Sequence, residues 1–151
     1  MSSTAVRDII FDYLETAAPT ENVVDLSGEF DELKDLLDEY AIADGDPWLG
    51  VQFVGSEENP VDIRATNNKG KYRETGVIFL HVVEVAHLMV HKKILPRGEA
   101  LRNAFRGQRI AGKILIEAIS PVNMGIGVTL NFEGGYTAGA IEISYSYEFD
   151  L

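Results

Sequence analysis

Two histidines, His87 and His91 in the segment HLMVH, have the i, i+4 spacing that turns two imidazoles to one face of a helix, where they can share a metal. The position after the first histidine, where a zinc hydrolase of that pattern carries its glutamate, is Leu88, and the sequence signposts no third ligand. No partner nucleophile accompanies either imidazole, so neither reads as a catalytic base. An edge or loop histidine pair is the stronger reading. The acids of 21–46, DGDPW among them, lack the alternating register and distal glutamate of a calcium loop and read as a solvated acidic helix face. NMGIGV and EGGYTAG have neither phosphate-loop nor dinucleotide spacing and read as turns before alternating strands. No enzyme signature, metal or cofactor follows from these motifs.

The distribution of charge is more informative. The chain has 13 Lys/Arg against 24 Asp/Glu, a net of −11, yet residues 92–113 hold seven of the basic residues (Lys92, Lys93, Arg97, Arg102, Arg106, Arg109, Lys113) and one acid, Glu99. That stretch is therefore +6 and the remainder −17. Pro96 suits the first turn of a helix, and Ala100, Leu101, Ala104 and Phe105 supply its buried face. At ~100° per residue, Arg102, Arg106 and Arg109 fall within about 60° of one another, opposite that face. Such a stripe can be a solvated surface, a grip on phosphates or a contact with acidic protein. The acidic body repels polyanions, and no aromatic or glycine-rich platform flanks the arginines, which makes a nucleic-acid-binding regulator the weaker alternative. A +6 patch on a −17 body is complementary to a second copy of itself. A contact between two different patches is heterologous and closes into a ring where the rotation permits. Arginine suits it, because its planar fork pairs carboxylates bidentately. The counterparts expected are the acids of a second helix, Glu29, Asp31, Glu32, Asp35, Asp38 and Glu39, within residues 1–48, where 13 acids face only Arg7 and Lys34.

The elements that would position these groups follow from periodicity. Val6, Ile9, Ile10, Tyr13 and Leu14 predict an amphipathic helix over 4–17 capped by Ser3 or Thr4, and Phe30, Leu33, Leu37 and Tyr40 predict a second over 28–41. Strands are predicted at 48–55, around the polar turn at 67–70, at 75–86 (apolar on both faces, hence central), at 113–119, over the alternating 126–132, and over the last residues. In that last strand Ile141, Ile143, Tyr145, Tyr147 and Phe149 share one side. Strands in runs between helices predict one α+β domain over 1–151, a mainly antiparallel or mixed sheet with helices packed on one face. The absence of cysteine fits a reducing compartment, and the charges inside MSSTAVRDIIFDYLE interrupt any signal-peptide core, so use without secretion is expected. No stretch is apolar enough over sufficient length to span a bilayer.

The order of elements resembles a family. An N-terminal amphipathic helix, an extended region, a Trp-led strand WLGVQFVG, the entry KYRETGVIFLHV, a helix RGEALRNAFRG and a terminal strand IEISYSYEFD are similar to the layout of the tail terminator (tail completion) proteins of long-tailed bacteriophages, the lambda type included. The resemblance covers most of the chain, and the YRETG entry and the aromatic-alternating last strand are its most specific parts. It implies a non-enzymatic virion subunit forming a hexameric ring on the last tail-tube ring at the head-proximal end of the tail. The ring stops tube polymerisation and presents a surface to the head connector. It further implies assembly in the host cytoplasm, itself and the major tail tube protein as partners, no cofactor, no membrane, and no nucleic acid beyond DNA passing through the lumen. A head–tail connector or neck protein is the near alternative. The chain departs from the layout by a longer, more acidic segment at 20–46 and by the insert HLMVHKKILP, and no family binding residue is carried over.

Overall fold

The computed structural model describes residues 3–27, 33–43, 45–61, 70–85, 89–124 and 135–150. Three helices, α1 (Thr4–Ala17), α2 (Leu33–Glu39) and α3 (His91–Phe105), accompany seven strands: β1 (Val23–Asp25), β2 (Trp48–Pro60), β3 (Lys71–Val85), β4 (Arg109–Ile110), β5 (Ile114–Ile119), β6 (Asn123–Met124) and β7 (Tyr136–Asp150). The strands form one sheet in the order β1-β2-β3-β7-β5-β4, with β6 on β7. Only β1 runs parallel to its partner; every other pair is antiparallel. The fold is α+β, and β3 occupies the central position that its two-sided apolar run predicts.

β3 and β7 pair without a break from Lys71↔Asp150 to Val85↔Tyr136. This gives the sheet an upper end at Trp48, Val85 and Tyr136 and a lower end at Pro60, Lys71 and Asp150. Residues directly opposite one another point to the same side. Leu49, Val51, Ile78, Leu80, Val82, Ile141, Ile143 and Tyr145 therefore share the first face, where α1 and α3 pack with Val6, Ile10 and Leu14 and with Ile94, Leu101 and Phe105. Removing each such large side chain from water is worth ~1.5–3 kcal/mol. α1 is anchored at its start: the Ser3 hydroxyl accepts from Val6 N at 3.3 Å, and Ser3 N donates to Glu74 Oε1 at 3.2 Å. Glu74 is itself buried and also accepts from the Tyr145 hydroxyl at 2.6 Å, which places a carboxylate at the positive end of a helix.

The two long helices thus share one face, as expected. The seven-residue α2 lies on the other, where Leu36 and Leu37 join Val24, Leu26, Ile42, Trp48, Val83 and Ala138 in a second apolar cluster. Two expected boundaries move. β2 continues five residues past position 55, through a bulge at Gly55 (φ +61), and β7 begins at Tyr136 rather than after a hairpin loop. β1 arises in a segment whose sequence shows only the break at Pro19. The strand expected over 126–132, most of the turn at 67–70 and the first turn of the second helix lie outside the described residues.

On the second face His81 is 1% exposed and pairs through Nε2 with Gln52 Oε1 at 3.0 Å. Burial disfavours its charged form and lowers its pKa from 6.5 to about 4. The unfolded chain therefore binds this proton at higher pH than the folded one. The corresponding stability is complete above pH 6.5 and is lost as pH falls toward 4, amounting to roughly 3 kcal/mol. Urea unfolding of the wild type and of His81→Gln from pH 7 to pH 4 is expected to show stabilities converging by roughly that amount; parallel pH profiles would show that His81 does not carry this loss.

Candidate assembly interface

The basic segment is built differently from the continuous helix expected at 97–113. α3 begins at His91, six residues earlier, so Pro96 sits inside it rather than in its first turn. Proline has no N–H to give the Lys92 carbonyl, yet packing holds the helix together at that point. Gly98 lies so close to Val122 that a Cβ there would stand 2.4 Å from Val122 Cγ2, and a Cβ on Gly139 would stand 2.7 Å from Ile94 Cγ2. These two glycines let α3 settle against β7 and the segment that leads into β6. The helix stops at Phe105 because Gly107 adopts φ +67 just past the Arg106 cap, with Arg106 N bonded to Arg102 O at 2.9 Å. A tight hairpin follows, with residues 111–113 joining Ile110 to its partner Ile114: Ala111 and Gly112 both have positive φ, and Lys113 N reaches Ile110 O at 2.9 Å.

This geometry disperses the expected arginine stripe. Arg97 is internal. It bonds Glu21 through Nε (3.0 Å) and Nη2 (2.5 Å), Glu84 Oε1 at 3.1 Å, and the carbonyls of Val83 and Trp48 at 3.0 and 3.3 Å. Burial opposes its charge, but the hydrogen bonds and charges of Glu21 and Glu84 outweigh that, and its pKa is raised. Arg102 is 17% exposed and pairs with Glu99 at 2.7 Å, one turn away on the same helix. Arg106 is the exposed helix cap. Arg109 is not helical at all: it opens β4 opposite Leu115, on the sheet face away from α3, while Ile110 turns to the core. Among the described residues, Arg106, Arg109 and Lys113 are exposed and form no ion pair; Arg106 caps α3, while Arg109 and Lys113 belong to the sheet edge made by β4 and its hairpin.

The expected acidic counterparts are only partly in view. Asp35, Asp38 and Glu39 are exposed on α2 at the upper end; Glu29, Asp31 and Glu32 lie outside the described residues. Arg109 belongs to the lower end, where β4 pairs with the start of β5. At that level the opposite edge of the sheet is acidic. One register row runs Glu57↔Thr75↔Ser146↔Leu115↔Arg109, and the next runs Glu58↔Glu74↔Tyr147↔Ile114↔Ile110. Glu57 and Arg109 are thus the two ends of a single row on a single face, four strand spacings or ~19 Å apart. Glu57 and Glu58 are exposed and make no ion pair among the described residues. The sequence hides them because SEENP has no apolar alternation; only the length of β3, which requires an equally long partner, signals the extension.

Other groups settle less. Tyr72, Phe149 and Tyr147 stack on the first face (centroids 6.1 and 5.5 Å apart), whereas Lys71 and Arg73 point to the second and hold Glu148. The Arg73 hydrogen bond, helped by the charges of Lys71 and Arg109, keeps the Glu148 carboxyl below its ordinary pKa. Aromatic and basic groups of the lower strands therefore do not form one nucleic-acid platform. His91 is exposed at the start of α3, and His87 lies outside the described residues, so the described helix does not carry both imidazoles. Among the described residues no three His, Asp or Glu cluster as metal ligands, and no helix is long and apolar enough to cross a membrane.

No protein-family model matches the chain, and no curated protein sequence matches it. Arg97→Met would leave Glu21 and Glu84, 13% and 9% exposed, without their cation. Denaturant unfolding is expected to show a loss of ~3–5 kcal/mol. Arg106→Met, at an exposed cap, is expected to stay within about 0.5 kcal/mol of wild type. Equal losses at both positions would contradict the assignment of Arg97 to the interior and Arg106 to the surface.

Proposed function

We propose that the chain is a ring-forming tail terminator of a long-tailed bacteriophage: a structural subunit, not an enzyme, whose copies close into a ring, a hexamer on the family resemblance, on the last ring of the tail tube. The ring would end tube polymerisation and give the head connector its docking surface. The observation that carries this reading is the placement of opposite charge at the two edges of one sheet, Arg109 and Lys113 on one side and Glu57 and Glu58 on the other. Edges that differ in sign favour a neighbour of the same sequence in head-to-tail orientation, and that is the contact from which rings are built. The order of elements on which the family resemblance rests supports the same assignment.

Size-exclusion with light scattering, run at rising salt with and without isolated tail tubes, is the direct test. A species several times the 16.7 kDa monomer is expected, more abundant at low salt or on tubes. A strict monomer in both arms would contradict the ring. Withholding the protein from tail assembly is expected to give overlong tubes. Tubes of normal length without heads would instead assign it to the neck as a head–tail connector.

A further inference from the structure

We infer that the lower outer edge of β2 receives strand β4 of a second copy, so that the sheet continues from one subunit into the next with Arg109 of one beside Glu57 of the other. The inference rests on the ring reading above and specifies its seam.

Three observations carry it. First, among the described residues no strand pairs with the lower outer edge of β2, down to Pro60. β1 covers only Leu49–Val51 of β2, with Leu26 N bonded to Val51 O at 2.9 Å. The outer edge of a strand that ends a sheet is a template for another strand. Second, the direction fits. Four antiparallel steps separate β2 from β4, so the two strands of one chain run the same way. A copy set alongside brings its β4 parallel to β2, in the sense β1 already has, and extends the line that β1 begins. Third, the charges select this pairing. Two β2 edges would bring Glu57 and Glu58 against their like, and two β4 edges would bring Arg109 against itself, whereas β2 against β4 pairs opposite signs at one height. The bulge at Gly55 and the two glutamates therefore do more than blunt an edge: they exclude the isologous dimer and leave the heterologous contact that a ring requires.

The chain contains no cysteine, so any disulfide formed by introduced cysteines reports on them alone. Cα atoms on neighbouring strands are within the ~4.4–6.8 Å that a disulfide accepts. Glu57→Cys protein mixed with Arg109→Cys protein under oxidation, on tail tubes, is expected to give a cross-linked heterodimer, and the double variant a ladder of higher multiples. Glu57→Lys with Glu58→Lys is expected to lower the assembled fraction about tenfold, as is Arg109→Glu with Lys113→Glu, while an equal mixture of the two proteins, in which both contacts between unlike copies are complementary, recovers assembly. Assembly that proceeds without a 57–109 cross-link and is indifferent to these reversals would overturn the seam and leave the ring standing. A Glu57→Cys homodimer would overturn it in favour of an isologous contact. Absence of assembly by the wild type in every arm would overturn the seam and the ring together.

Discussion

The unbroken ladder between β3 and β7 is the constraint from which the rest of the structure follows. Its register is fixed by burial: a slip of one residue would turn Ile78, Leu80 and Val82, or Ile141, Ile143 and Tyr145, from the helix-covered face to the other. Together with the registers of β2 on β3, of β5 on β7 and of β4 on β5, it sets the heights of both outer edges. Glu57 and Arg109 are 52 positions apart in sequence, yet these four pairings stand them in one row.

Polar anchors hold the helices to this frame at its two ends. Glu74 ties the start of α1 to β3 and to Tyr145 of β7 near the lower end, and Arg97 ties α3 to β2, β3 and the segment after α1 at the upper end. Each serves a structural need, satisfying groups that packing removes from water. The consequence for function is indirect. Arg97, drawn inward by Glu21 and Glu84, and Arg102, paired with Glu99, leave the remaining cations of the segment in two places: Lys92 and Lys93 at the start of α3, and Arg106, Arg109 and Lys113 at its end and in the hairpin beyond.

Local periodicity foretells much of this. The helix over 4–17 with its Ser3 cap, the central β3 and the one-sided alternation of β7 are all present, since each depends on patterns within a single element. The continuous arginine stripe fails on two local signals that apolar spacing outweighed. Gly107 is a helix stop, and Ala111–Gly112 a hairpin, so the segment changes from helix to strand between Arg106 and Arg109 and the last arginine turns to the far face. β1, the acidic extension of β2 and the side on which α2 packs are not local at all. They are decided by which strand is available to pair and which apolar face remains uncovered, and no window of sequence contains that information.

In the proposed ring, copies of this chain meet side by side through unlike sheet edges rather than through the acidic helix α2. Amide hydrogen exchange of the free protein and of the protein assembled on tail tubes separates the two. Slower exchange on assembly is expected within 53–59 of β2 and 108–110 around β4, with α2 unchanged. Protection confined to α2, with the β2 edge exchanging as in the free protein, would contradict it.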